Sequence, residues 1–330
     1  MAPPSSMKTQ SATKQRNGLA TPYARLSYAG RVLSDIRRSP VLYLMLLPVL
    51  VYYIMFCYKP MYGALIAFYD FIPGVPMFQS KFVGWQNFID FFQYRNFGRV
   101  VLNTLTISVS SIIFGFPAPI ILALLLNELR SKKFSRTVQT VSYMPHFISL
   151  VVICGMVRDF TGGTGFITKM LSDLGLVKSG IALLSQKSLF VPIYVISDIW
   201  QGVGYGSIIY LAALTNVDQE LYEAAKIDGA GRWKQTLHVT LPGIMPTIIT
   251  MLVLRLGRLM NVGFEKIILL YNPQVYSVAD VISSYIYRVG LQNADFSYST
   301  AVGLFNSVIN LIILMAANMT SRKISGNGLW

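Results

Sequence analysis

The chain has 330 residues, of which 53% are hydrophobic and only 13% charged, and its mean hydropathy is +0.51. That balance excludes an ordinary soluble enzyme and defines an integral membrane protein; at about 20 apolar residues per crossing, the chain holds several spans and little else. The formal net charge of +14 fits basic residues gathered on cytoplasmic loops against anionic headgroups, and argues against nucleic-acid binding.

Residues 1–40 carry no acidic residue before Asp35. The expectation is a cytoplasmic basic tail without fixed structure, although the Ser-, Arg- and Lys-rich composition also suits an organelle transit peptide. The permease-like region follows over 41–320. The first span is expected at Val41–Tyr58, the second near 100–126, the third at Val141–Val157 and the fourth near 189–214. The fifth starts after Pro242 and reaches about Phe264, and the sixth lies near 299–319. The fold class is therefore an all-α membrane protein of about six transmembrane helices. Residues 321–330 form a short C-terminal tail.

Basic residues orient these spans. The N-terminal tail and the loop with Arg130, Lys132, Lys133 and Arg136 are rich in positive charge and belong on the cytoplasmic side, which puts both termini and the 216–243 loop there too. Within the first outer segment, Phe88, Phe91, Phe92 and Phe97 recur at near-helical spacing beside Trp85, which predicts a helix lying at the membrane surface. Cys57 and Cys154 lie in apolar stretches, and His146 and His238 have no ligand-like neighbours. These read as packing residues, and no metal site is expected.

The densest pattern is "YEAAKIDGAGRWKQTLHVTLP", Tyr222 to Pro242. Asp218 and the acidic residues after it suit a helix N-terminus, Gly229 suits a left-handed C-terminal turn, and "RWKQTLHVTL" predicts a second short helix. Pro242 then stands at the entrance of the next span, where its missing N–H costs little. Glu223-Ala224-Ala225, then Gly229, then Val239, Leu241 and Pro242 resemble the cytoplasmic loop E-A-A-x3-G-x9-I-x-L-P of permease subunits of binding-protein-dependent ABC importers. Val239 stands where isoleucine is usual.

The resemblance implies the type I importer permease fold, with coupling helices in the 216–243 loop. It also implies that Glu223, Ala224, Ala225, Asp228, Gly229, Leu241 and Pro242 form the contact and turn that couple the chain to a separate ATPase. "YKPMYGALIAFYDF", "VGWQNFIDFF", "YMPHFIS", "IIYLAAL" and "NVGFEKIILLYNP" are similar to carbohydrate importers of the poly- and oligosaccharide branch, most of all to alginate importer permeases. The implied partners are a second permease, two ATPase subunits, an external solute-binding protein, membrane lipid and an oligosaccharide. The implied location is the bacterial cytoplasmic membrane. No phosphate-binding loop G-x-x-x-x-G-K-[S/T] occurs, since "GAGRWKQT" and "GGTGFITK" both fail the spacing. ATP and Mg are therefore expected on partner subunits, with no cofactor and no catalytic residue in this chain.

Arg255, Arg258, Asn261 and Glu265 follow at intervals of 3, 3 and 4 in "MLVLRLGRLMNVGFEK". The spacing predicts one polar stripe on the fifth span. Charge at membrane depth faces a cavity or another charge. Either the stripe lines a translocation path, where the arginines favour acidic sugars, or Glu265 and the arginines form a structural ion-pair network. In "DIWQGVGYGS" the glycines suit close helix packing, while Trp200, Gln201 and Tyr205 are candidates to stack on and hydrogen-bond a sugar. Asn306 and Asn310 share a face suited to interhelical hydrogen bonds. The competing classes are a membrane-embedded glycan-processing enzyme, for which H-E-x-x-H and G-x-S-x-G are missing, and an ion-coupled secondary sugar transporter.

Overall fold

The computed structural model describes residues 37–326, 328 and 329. The tail expectation for residues 1–36 falls outside them. The described chain divides into two units, residues up to Gly63 and residues from Ala64 onward. The first contains α1, Pro40–Tyr52, which continues through a π turn at Tyr53–Tyr58 into Lys59–Met61.

The second unit is helical except for a two-residue antiparallel hairpin, β1 (Tyr69–Asp70) against β2 (Lys81–Phe82). Its helices in chain order are α2 (Gln86–Gln93), α3 (Phe97–Ser110), α4 (Pro117–Asn127), α5 (Lys132–Tyr143) and α6 (Leu150–Thr161). After the short helix Phe166–Asp173 come α7 (Lys187–Leu214), α8 (Gln219–Ile227), α9 (Arg232–Gln235) and α10 (Leu241–Leu256). The last are α11 (Phe264–Leu270), the short helix Tyr276–Ala279, α12 (Ile282–Tyr287) and α13 (Phe296–Ser325).

Among the described residues, five helical stretches are long and apolar enough to cross a membrane: Pro40–Phe68, Phe97–Asn127, Leu150–Asp173, Arg232–Leu256 and Phe296–Lys323. The stretch expected as the fourth span is α7, a helix of 28 residues that is not among these five. Its hydropathy is diluted by Asp198, Gln201 and three glycines.

Three of the prolines follow widened turns, while Pro48, Pro192 and Pro246 lie inside regular α-helix. A proline ring inside a helix clashes with the carbonyl four residues earlier, and one widened turn relieves the clash without ending the helix. π turns stand just before Pro60 (Tyr53–Tyr58), Pro117 (Ser111–Gly115) and Pro242 (Thr236–Thr240). This corrects the sequence reading of "RWKQTLHVTL" as a separate helix. Instead α9, the π turn and α10 form one continuous helix, Arg232–Leu256.

Pro145 acts differently, and the third span is corrected with it. Val141–Tyr143 closes α5, Met144–Phe147 tightens into a 3-10 turn, and Ile148 and Ser149 are extended, so the membrane-length segment starts at Leu150.

Three apolar clusters hold the second unit. Phe91 of α2 packs with Val100, Ile282, Tyr285 and Val302, so this aromatic helix is pinned to the bundle while Trp85 and Phe92 remain exposed. A middle cluster joins Ile107, Cys154, Phe190, Tyr194 and Ile267. Beside the 216–243 loop, Ile120, Ala123, Tyr210, Leu214, Val217 and Ile244 form the third.

α7 runs through the centre of this packing, and its Gly204 and Gly206 set how closely its neighbours approach. A Cβ on Gly204 would collide with the carbonyl of Ser142 in α5, whereas one on Gly202 would meet nothing within 4 Å. Gly204→Val therefore lowers stability by about 1–3 kcal/mol through overpacking against backbone. Gly202→Ala has no comparable effect, and thermal unfolding of the two purified variants in detergent checks the contrast.

Candidate functional site: a polar cavity at a broken span

The fifth span does not continue to Phe264. α10 ends at Leu256, Gly257–Met260 turns, Asn261–Gly263 is irregular, and α11 starts a new helix at Phe264. The polar stripe expected on a single helix is thus split across a break between two glycines. Backbone groups released at membrane depth need partners, and three other helical segments supply them. The Ser108 hydroxyl of α3 donates to the Leu259 carbonyl, and the Met260 N–H donates to Asn310 Oδ1 of α13 at 2.9 Å. Ser283 of α12 donates to the Val262 carbonyl at 2.5 Å. The Asn261 side-chain oxygen accepts from the amides of Asn306 at 2.7 Å and Asn310 at 3.2 Å, the interhelical role expected for that pair.

The break opens a cavity of about 480 Å³. Arg255, Arg258, Asn261 and Glu265 all line it, together with Gln201, Asp198 and Lys266. The four residues read as a stripe therefore do share one wall, through loop geometry in place of helical periodicity. Lys266 is 4% exposed; its Nζ donates to Asp198 Oδ1 at 3.3 Å and to the Tyr194 carbonyl at 3.2 Å, and lies 4.7 Å from the centre of the Tyr194 ring. Arg255 reaches the other Asp198 oxygen at 3.9 Å.

Of the two readings of the stripe, the ion-pair network between Glu265 and the arginines is corrected here, because the bridging carboxylate is Asp198. Glu265 and Arg258 take part in none of the ion pairs among the described residues. Three cations and two carboxylates thus line one cavity, one carboxylate is shared by two of the cations, and Arg258 and Glu265 have no ion-pair partner among the described residues.

Of the three α7 candidates, only Gln201 joins this cavity. Trp200 lines a separate apolar groove with Met156, Phe160 and Leu183. Tyr205 stacks on His146, with ring centroids 4.0 Å apart and planes 4° from parallel. Sequence reasoning passed over Asp198 and Lys266 as site residues. The signal for Asp198 was present, since it is the only carboxylate between Lys187 and Leu214 and an isolated charge at such depth marks a functional or paired position.

The 216–243 loop has a well-defined local structure. The Asp218 carboxylate accepts the Glu220 N–H at 3.0 Å and caps α8. At the other end the Gly229 N–H donates to the Lys226 carbonyl at 3.0 Å and the Ala230 N–H to the Ala225 carbonyl at 2.8 Å, with Gly229 at φ 74. That is the paired-bond helix stop that a left-handed residue permits. Tyr222 donates to Thr240 Oγ1 at 2.9 Å and Gln235 donates to the Ala230 carbonyl at 2.7 Å, fastening α8 to the head of the Arg232–Leu256 helix. Glu223, Ala224, Asp228 and Gly229 are exposed and Ala225 is half-buried. Leu241 is half-buried and Pro242 exposed where the loop enters the span. Leu221, Ile227 and Trp233 expose apolar surface beside them.

A polar cavity at an interrupted span, joined by one helix to a structured loop, describes a transport subunit. The family of inner membrane components of binding-protein-dependent transport systems matches residues 115–326, and the chain belongs to it. Over 299 residues it is 44% identical to Protein LplB of Bacillus subtilis (strain 168), covering 90% of this chain and 93% of the relative. It is 40% identical over 301 residues to the polygalacturonan/rhamnogalacturonan transport system permease protein YteP of the same organism, covering 91% and 93%. Among solved structures, a chain of a bacterial alginate ABC transporter in complex with an alginate pentasaccharide-bound periplasmic protein matches with a TM-score of 0.82 at 46% identity, over 91% of this chain and 100% of that one. A second structure, of a bacterial ABC transporter involved in importing the acidic polysaccharide alginate, matches at 0.81 and 47% identity over 89% and 99%. The chain is accordingly a membrane transport component and not an enzyme.

The side-chain staples at the break carry a testable cost. Asn310→Leu leaves the Met260 N–H unpaired and removes one partner of Asn261, a loss of about 1–3 kcal/mol. Hydrogen exchange of the purified protein should show faster exchange confined to residues 257–263 and their contacts.

Proposed function

We propose that this chain is one membrane half of an ATP-driven importer and that its cargo is an acidic oligosaccharide, handed over by an external binding protein. The observation that carries this reading is the cavity at the broken span, where Arg255, Arg258 and Lys266 face two carboxylates and Arg258 is unpaired among the described residues. A guanidinium with free N–H groups holds a sugar carboxylate through paired, charge-assisted hydrogen bonds, and Gln201 and Asn261 provide donors and acceptors for hydroxyls. Relatives named for polygalacturonan and alginate transport support the same cargo class.

Energy enters at the loop. Glu223 offers a polar contact and the small Ala224 and Ala225 let a partner approach closely, while Asp228 and Gly229 close the helix and Leu241 and Pro242 lead into the span. Exposed Leu221, Ile227 and Trp233 add apolar area for docking. In this reading the loop and both termini are cytoplasmic. ATP and Mg sit on two ATPase subunits, and a second, homologous permease completes the pathway.

The test uses the complete complex, with its binding protein, in proteoliposomes. Uptake of an oligouronate should depend on ATP and be blocked by vanadate; ion-gradient-driven uptake without ATP would overturn the reading. Arg258→Gln is expected to cut oligouronate uptake about tenfold or more, the scale of one lost charge-assisted contact. Unchanged uptake would remove the acidic-cargo assignment.

Gly229→Asp tests the loop separately. A Cβ at Gly229 meets nothing within 4 Å, so the expected fault is strain at positive φ in the turn itself. The variant should insert normally yet lose cargo-stimulated ATP hydrolysis, and normal hydrolysis with normal uptake would overturn the coupling role.

A further inference from the structure

The Asp198–Arg255 pair belongs to two cavities at once. It lines the 480 Å³ polar cavity, and it also lines a second cavity of about 190 Å³ with Gly202, Gly206, Tyr210 and Met251. The chain direction orders the two. On α7, Gly202, Gly206 and Tyr210 lie between Asp198 and the 216–243 loop, and on α10 Met251 lies between Arg255 and that loop. The smaller cavity is therefore the one on the loop side, and the half-exposed pair lines both where they meet.

Two further observations describe how the pair is held. The 3.9 Å separation of Arg255 and Asp198 is long for an ion pair, while Lys266 holds the other oxygen of the same carboxylate at 3.3 Å and is itself buried. Asp198 thus has an alternative partner, and among the described residues Arg255 has no other ion pair. A competing carboxylate at Arg255 would free it from Asp198 without leaving Asp198 unpaired.

We propose that Asp198 and Arg255 form a specificity gate, which a carboxylate on the cargo opens by replacing Asp198 at the Arg255 guanidinium while Lys266 retains Asp198. This rests on the acidic-cargo reading and extends it from binding to passage. A neutral oligosaccharide of the same size has no group to displace Asp198, so it enters the outer cavity and is stopped there. Asp198 is in this account a specificity-determining residue, although it carries the same sign of charge as the cargo.

The experiment compares uptake of a trimeric oligouronate with that of its carboxyl-reduced, neutral counterpart in the reconstituted full complex. In the parent complex the acidic sugar is favoured. Arg255→Gln and Asp198→Asn each break the pair and should raise uptake of the neutral trimer about fivefold, the equivalent of an ion pair worth roughly 1 kcal/mol. Arg255→Lys, which preserves the charge, keeps the neutral sugar excluded.

If Arg255 served only to bind cargo, Arg255→Gln would lower acidic uptake and leave neutral uptake where it was. Unchanged neutral uptake in both variants, in complexes that assemble with the parent's elution profile, overturns the gate and leaves the acidic-cargo reading standing. Equal uptake of both sugars by the parent complex overturns that reading and the gate with it. If Asp198→Asn does not assemble because Lys266 loses its carboxylate, Arg255→Gln, which leaves Asp198 and Lys266 paired, decides the matter alone.

Discussion

Backbone groups released inside a membrane must find partners within the protein, and much of the site's geometry follows from how the chain meets that requirement between Gly257 and Gly263. The Leu259 carbonyl, the Met260 N–H and the Val262 carbonyl are satisfied by Ser108, Asn310 and Ser283, drawn from three different helices. Irregular backbone at such depth persists where it is buried in protein or lines a polar space, and both conditions hold here. The same side chains that staple the break also bind α3, α12 and α13 around it. The cavity and the packing of the bundle are consequently one construction.

Within that construction the charges are arranged economically. Asp198 is the sole carboxylate of α7 and serves Lys266 and Arg255 together. Lys266, nearly inaccessible, also has the Tyr194 carbonyl and ring to stabilise it, whereas Arg255 and Arg258 remain open to the cavity. A buried ammonium with three satisfied contacts keeps its place. Guanidinium groups at the wall, having fewer, can exchange partners.

Much of this was legible in the sequence. Asp218, Gly229 and the Glu223-Ala224-Ala225 run specify a capped helix with a left-handed stop, and those signals are local, so they survive folding. Asn306 and Asn310 could be read as interhelical donors from their shared face. What failed was the continuity of helices. Pro145 was placed inside a span that it interrupts, and Pro242 was read as dividing two helices that a π turn joins. The choice between a break and a widened turn depends on whether neighbouring segments can adopt the released groups, which a single stretch of sequence does not record. The alternative that paired Glu265 with the arginines missed Asp198 for the same reason: spacing along one helix is visible, while a contact between α7 and α10 requires the fold.

The unbroken run from Arg232 to Leu256 has a geometric consequence. With a rise of about 1.5 Å per residue, Arg255 lies roughly 34 Å along the rod from Arg232. Tilting such a rod by about 10° around its Arg232 end would carry the far end sideways by some 6 Å. That displacement exceeds the 3.9 Å between Arg255 and Asp198. A small rotation at the Arg232 end of the rod thus suffices to pull apart two half-exposed side chains at the cavity wall, with no local unfolding along the way.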